Sequence, residues 1–312
     1  MLSALPAMLY HPCYSELQLP AQHRYPTAKY RALYQQLLDI GIPAGAFSQS
    51  AAITPEQLAT VHCPQYIHSL QTGNIDAKAM RRIGFPWSEQ LFRRSLCSLG
   101  GTLQSAQAAL HTGIALHLSG GYHHAFYAEG SGFCLFNDLV FAAKTLINQG
   151  LEKILIVDLD VHQGDGSAQM LADEPQIISF SVHCEKNFPY RKQTSDWDIG
   201  LTKDCSDQHY LEAVQQSLHT LLHWHQPDLV LYDAGVDIHQ QDELGLLNIS
   251  TEALYQRDLL VLQSCVAQAI PVAAVIGGGY QRNIPALVQL HLQLFKAAFT
   301  LCGSEFAGKI ET

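Results

Sequence analysis

A three-layer α/β/α fold around a central, mainly parallel β-sheet is what these 312 residues predict. Three observations lead there. Short apolar runs alternate with longer helical patterns, the signature of strand–helix–strand units. The runs are apolar throughout rather than at every second residue, as strands covered by helices on both faces require. Finally, the runs end in turns rich in glycine and in acidic or imidazole side chains, and in such folds ligands bind at the carboxyl ends of the strands.

Taken in order, Met1–Tyr10 lacks the basic segment and long apolar stretch of a signal peptide and reads as a short first strand. Residues 42–60 are irregular. A helix spans Ser88–Thr112, and Gly100 and Gly101 in its middle point to close packing rather than a break. Ile114–Leu118 is a strand, Phe136–Gln149 a helix, and Lys153–Val157 and Ile177–Val182 are strands. Residues 185–204 are irregular, and 185–198 follows a strand end as a candidate rim loop. The helix Ser206–His225 has Ser206 and Asp207 as capping residues; the helix Thr251–Ala269 is capped by Ser250 or Thr251. Asp228–Tyr232 and Pro271–Ile276 complete the strands, joined by right-handed crossovers. With no repeat, low-complexity run or linker, residues 1–312 are expected to form one domain.

Composition narrows the function classes. Hydrophobic residues make up 47% and charged residues 15%, enough for a large core, yet no apolar stretch is expected to approach the roughly 18 residues of a membrane span. A formal net charge of −10 argues against duplex nucleic acid, whose phosphates are bound by basic surface. The eight cysteines form no CxxC pair and follow no secretion signal, so free thiols in the cytoplasm are expected.

The densest chemistry is in Ile154–Gly166, where an apolar run ends in Asp158, Asp160 and His162, at i, i+2 and i+4. Side chains repeat every two residues along a strand, so all three are expected on one face, where carboxylates and an imidazole suit a divalent cation. After Ile114–Leu118 come the adjacent His123 and His124, framed by glycines; they read either as a general acid and base or as a surface histidine pair. After Asp228–Tyr232 comes Asp233-Ala-Gly-Val-Asp237, whose acids could complete a metal site or merely form a turn. After Pro271–Ile276, Gly277–Gly279 allow backbone to approach a pocket and bring Tyr280 with it, although glycine triplets are often plain loops.

Together these motifs closely resemble the zinc-dependent histone deacetylases of the wider arginase–deacetylase superfamily. The resemblance runs from His23–Tyr30 to Gly277–Tyr280, through Gly120–Ala125, Gly132–Asp138 and Asp158–Gly166. It implies that Asp160, His162 and Asp237 bind Zn²⁺, with Fe²⁺ an alternative for such oxygen and nitrogen donors. It implies that the metal polarises an amide carbonyl and activates water. His124 becomes the general base and then acid, His123 its electrostatic companion, Asp158 and Asp165 their carboxylate partners, and Tyr280 the donor to the oxyanion. Gly132, Phe133, Phe188 and Leu244 are expected to line an acyl-lysine tunnel. Asp158 and Ser181, with backbone carbonyls of Asp160, His162 and Val182, match the family's structural K⁺ site. Arg24 is placed at an inner release channel.

Three departures refine the resemblance. Gln163 after His162, with Ile83–Trp87, is similar to the class IV-like branch and to bacterial deacetylase-like amidohydrolases. Gly84 stands where many members carry an Asp that clamps the substrate backbone. Leu244 stands where polyamine deacetylases carry an acidic gatekeeper, with Glu243 beside it. The expected activity is hydrolysis of acyl-lysine in a protein or peptide, with acyl chains longer than acetyl tolerated. A deacetylase of small acylated amines such as acetylpolyamines, a catalytically silent binding protein and an arginase-like two-metal hydrolase are the competing readings. Neither nucleic acid nor membrane is expected as a partner.

Overall fold

A computed structural model of the chain describes residues 5–311. Its eight strands are β1 (Ala7–Tyr10), β2 (Phe47–Gln49), β3 (Ile114–His117), β4 (Ile154–Asp158), β5 (Ile177–Cys184), β6 (Trp197–Leu201), β7 (Leu229–Asp233) and β8 (Val272–Val275). They form one sheet in the order β2-β1-β3-β8-β7-β4-β5-β6, and every pairing is parallel. The four motif-bearing strands, β3, β8, β7 and β4, are contiguous at its centre. Every residue of those four strands is buried, which is why their sequences read as unbroken apolar runs.

The helices start where the capping residues put them. Ser88 caps Glu89–Thr112, Asn137 caps Asp138–Asn148, Ser206 caps Asp207–His225 and Ser250, not Thr251, caps Thr251–Ala267, each side chain accepting from a backbone N–H one turn on. The glycine pair in Glu89–Thr112 does mark close approach: a Cβ on Gly100 would overlap the Ala51 carbonyl, and one on Gly101 would strike His117 and Tyr14.

Three expectations need correction. The two irregular segments hold the edge strands β2 and β6, which pair on one side only and are partly exposed; Trp197, Ile199 and Leu201 are the more buried residues of β6, and Asp198 and Gly200 the more exposed. Second, one helix, Ile284–Leu301, is long and apolar enough to cross a membrane by composition. Its apolar residues pack on the Thr251–Ala267 and Ala28–Asp39 helices, and Leu287, Phe295 and Phe299 are fully buried, so here it is a core helix. Third, the first strand begins at Ala7; Met1–Ala4 lie outside the described residues.

Candidate active site

The central strands all deliver their carboxyl-end loops to one cavity of about 380 Å³, whose walls include His124, Gly132, Phe133, His162, Phe188, Leu244 and Tyr280. The loop after β4 is not a continuation of the strand, as the i, i+2, i+4 spacing suggested. The strand stops at Asp158, and two successive turns follow in which the Asp158 carboxylate accepts from Asp160 N–H (3.2 Å) and the Asp160 carboxylate from His162 N–H (2.9 Å). The consequence is that Asp158 separates from the other two.

Asp160 and His162 join Asp237 instead. The Nδ1 of His162 lies 2.9 Å from Asp160 Oδ1 and 3.1 Å from Asp237 Oδ2, and all three side chains are buried. Backbone donors aim the carboxylates: Val161 N–H donates to Asp237 Oδ1 (2.9 Å) and Gly278 N–H to Asp160 Oδ2 (3.0 Å). Asp237 Oδ2 has no hydrogen-bond donor of its own, and a Cβ on Gly278 would overlap both carboxylates. Two carboxylates and an imidazole bring a surplus negative charge into a buried place, which is costly unless a cation shares it. Donor atoms about 3 Å apart, two oxygens and one nitrogen, fit a divalent ion that binds each at roughly 2 Å. The electrostatics agree. Burial opposes a charged His162, yet Asp160 and Asp237 carry its pKa up to about 10. Burial and then Asp160 push Asp237 up to about 7. The trio therefore pulls in positive charge, as a proton or as a metal.

Asp158 serves a different pair. His123 Nδ1 donates to Asp158 Oδ2 at 2.8 Å, and His124 Nδ1 pairs with Asp165 Oδ1 at 2.7 Å. The two Nε2 atoms face each other at 3.1 Å, so one carries a proton and the other accepts it. Burial works against a charge on His123, but Asp158, Asp160 and Asp233 outweigh it and hold its pKa well above the usual imidazole range. Burial, then the charge on His123, push His124 down to about 4. His123 is thus the proton-bearing member, and His124 is the neutral ring whose Nε2 lone pair accepts.

The walls explain the tunnel residues. Phe133 adopts a positive φ of 66°, held by its N–H bond to Ile83 O (2.7 Å). A Cβ on Gly132, itself at φ +52°, would lie 2.5 Å from His124. One on Gly84, at φ +90°, would lie 2.9 Å from the Phe133 ring, so the wall leaves no room for a larger side chain there. Phe188 is 37% exposed and meets His124 edge-on at 4.9 Å. Tyr280 reaches in beside Phe133 and His162, with ring centroids at 5.8 and 6.3 Å. Burial, then Asp160 and Asp237, raise its pKa well above the ordinary phenol, which keeps the hydroxyl proton in place. Glu243, beside Leu244, turns away and pairs with Arg282 at 3.1 Å. Ser181 is paired in register with Asp158 on the neighbouring strand, and its hydroxyl contacts His183 at 2.9 Å.

Several supports escaped the sequence reading. Asp138 accepts from Gly121 N–H and Tyr122 N–H, anchoring the histidine loop, and is itself held by Thr102, His117, Tyr14 and Ser50 in a line of hydrogen bonds of 2.6–3.1 Å. Asp242 accepts from Tyr280 N–H (2.7 Å) and Lys29 Nζ donates to Gly277 O (2.9 Å), fixing the tyrosine loop from both sides. Arg257, wholly buried, donates to the carbonyls of Leu159, Ala234 and Gly235, tying the β4 and β7 loops together. Asn187 bridges Leu244 O and Leu246 N–H at the rim. Asp233, paired in register with Asp158, is buried with neither oxygen hydrogen-bonded and forms a second donor cluster with His123 and Asp158. A capped acid or a buried arginine has no local pattern that announces its distant carbonyl or N–H.

An all-parallel sheet with a buried aspartate–histidine–aspartate trio and two histidine–aspartate pairs at its centre defines a hydrolase-type metal site. Residues 23–295 match the histone deacetylase domain, and the chain belongs to that family. It is 46% identical over 303 residues to an uncharacterized protein of Picosynechococcus sp., covering 93% of this chain and 97% of that protein. It is 26% identical over 262 residues to Histone deacetylase 2 of Arabidopsis thaliana, covering 77% of this chain and 66% of the relative. Among solved structures, an HDAC homolog complexed with SAHA superposes with a TM-score of 0.83 at 23% identity, over 98% of this chain and 88% of that one, a likeness of fold.

Proposed function

We propose that this chain is a zinc-dependent amidohydrolase that removes acyl groups from lysine side chains, with Fe²⁺ able to replace Zn²⁺. The observation that carries the proposal is the placing of a neutral His124 between the Asp160–His162–Asp237 trio and an apolar slot. Those three residues would hold the ion, which supplies a Lewis acid for the amide carbonyl. His124, oriented by Asp165, accepts a proton from the attacking water at Nε2 and returns it to the leaving amine. His123, charged and backed by Asp158, stabilises negative charge that develops beside it. Tyr280 donates its hydroxyl to the oxyanion, a bond worth roughly 3 kcal/mol in comparable sites. Gly132, Phe133, Phe188 and Leu244 exclude water from the stem of the acyl-lysine.

The outward turn of Glu243 and the position of Leu244 in the wall favour an apolar stem over an acetylpolyamine. The cavity of about 380 Å³ and the resemblance to the class IV-like branch favour acyl chains longer than acetyl. Gln163 bonds to Gln193 and Asp198 across the rim, and it supports placement in the class IV-like branch. The Asp158–Ser181 register supports a structural K⁺ held by these side chains and by carbonyls of Asp160, His162 and Val182. Purified protein assayed on acetyl-, butyryl- and myristoyl-lysine peptides should lose activity to a chelator, regain it with Zn²⁺ or Fe²⁺, and lose it in His124→Ala. Undiminished turnover in both the stripped protein and the variant ends the proposal; preference for acetylspermidine over every peptide replaces the substrate.

A further inference from the structure

Away from the active-site slot, the turn that follows β1 and the helix Glu89–Thr112 border a second cavity of about 530 Å³ whose walls include His11, Cys13, Arg94 and Cys97. The sulfurs of Cys13 and Cys97 and a ring nitrogen of His11 lie within 4.8 Å of one another. Cys13 is half-buried and both thiols are unpaired. Nothing in the proposed hydrolysis uses them. We propose that Cys13 and Cys97 are a redox-active thiol pair that closes to a disulfide in response to peroxide.

The surroundings favour this over a metal site. His11 Nδ1 accepts the backbone N–H of Cys13 at 3.1 Å, so its proton sits on Nε2 and neither nitrogen offers a free lone pair to an ion. The His11 ring beside the two sulfurs is thus a hydrogen-bond donor rather than a ligand. Cys97 lies 3.4 Å from Ser50 Oγ, and the buried Arg94 cation shares the cavity; hydroxyl and cation both stabilise sulfur as thiolate. Hydrogen bonding from Cys13 lowers the Cys97 thiol to about 7, which agrees with its role as the attacking sulfur. Cys13 sits on the short turn Pro12–Ser15 and Cys97 inside the helix Glu89–Thr112, so closure to bonding distance needs a shift of the turn rather than of the helix.

The reaction balances with peroxide as the named oxidant. The Cys97 thiolate attacks one peroxide oxygen; an S–O bond forms, the O–O bond breaks, and hydroxide leaves with a proton as water. The Cys13 sulfur then attacks the Cys97 sulfur, the S–O bond breaks, and the second water departs with the Cys13 proton. Two thiols lose two electrons and two protons, and peroxide becomes two waters.

The test is differential alkylation and peptide mass spectrometry of the full chain after brief treatment with dilute hydrogen peroxide. A Cys13–Cys97 cross-linked peptide, lighter by two hydrogens and restored by dithiothreitol, should form at least roughly tenfold faster than oxidation of any other cysteine. In Cys13→Ser, Cys97 should stop at sulfenic acid and be trapped by dimedone. The idea is overturned if both thiols stay alkylatable while other cysteines react, or if Cys97 oxidises without the cross-link in the unaltered chain. The unaltered chain carries the decision even should the variant fold poorly.

Discussion

His123 and His124 are neighbours in one loop, both buried and both bonded through Nδ1 to an aspartate, yet one ends cationic and the other neutral. Three carboxylates stand within 4 Å of His123: Asp158, Asp160 and Asp233. His124 has Asp165 and a charged imidazole beside it. A hydrogen bond to a carboxylate therefore does not decide protonation; the number of carboxylates a ring faces does. This asymmetry is what lets one histidine accept a proton while the other stays cationic.

The sharpest way to break the comparison is to truncate each ring. His124→Ala should lower kcat on an acyl-lysine peptide by roughly three orders of magnitude or more, with bound metal unchanged by elemental analysis. His123→Ala should cost less, roughly a hundredfold, because it removes a charge and not the proton acceptor. Equal losses would show that the two share one role. Gly132→Ala comes next. A methyl 2.5 Å from His124, on a residue at φ +52°, displaces the ring by a few tenths of an ångström and strains the backbone. A loss of roughly tenfold in kcat/KM, with circular dichroism intact, is expected from about 1–2 kcal/mol of such strain.

The smallest effect concerns two histidines outside the slot. His117 and His62 are wholly buried; burial pushes their pKa values down to about 3 and about 4. Both fold neutral, whereas unfolded they would titrate near 6.5. Their neutral burial costs nothing above that pH. As pH falls from about 6.5 towards 4, the unfolded chain takes up protons that the folded one refuses, so stability drops, by roughly 2 kcal/mol for each at pH 5. His117→Gln should flatten urea midpoints measured between pH 7 and 5; an unchanged slope would show that His117 is protonated in the fold.

The loops that carry chemistry were legible because acid, imidazole and glycine at the end of an apolar run have few other reasons to be there. Asp160, His162 and Asp237 do meet, and Gly132, Phe133, Phe188, Leu244 and Tyr280 surround them. The strand period placed Asp158 with the metal donors, and it failed because a side chain bonding its own backbone two residues on ends the strand. β2 and β6 escape notice because an edge strand carries no unbroken apolar run: β2 has one apolar residue in Phe47–Gln49, and Trp197–Leu201 alternates with Asp198 and Gly200. Asp138, Asp242, Lys29 and Arg257 were missed for another reason. Their partners are main-chain groups far along the chain, and any residue can present a carbonyl or an N–H.

The central order β3-β8-β7-β4 has a temporal meaning. Strand β8 wedges between β3 and β7 although it is synthesised last, and Gly278 and Tyr280 arrive with it. A nascent chain that has emerged as far as the loop after β7 already holds Asp160, His162 and Asp237, but lacks the strand that joins its two halves. The site is thus incomplete until nearly the whole polypeptide has been made, because the Gly278 N–H that aims Asp160 and the strand that links β3 to β7 both come from the last part of the sheet to be synthesised.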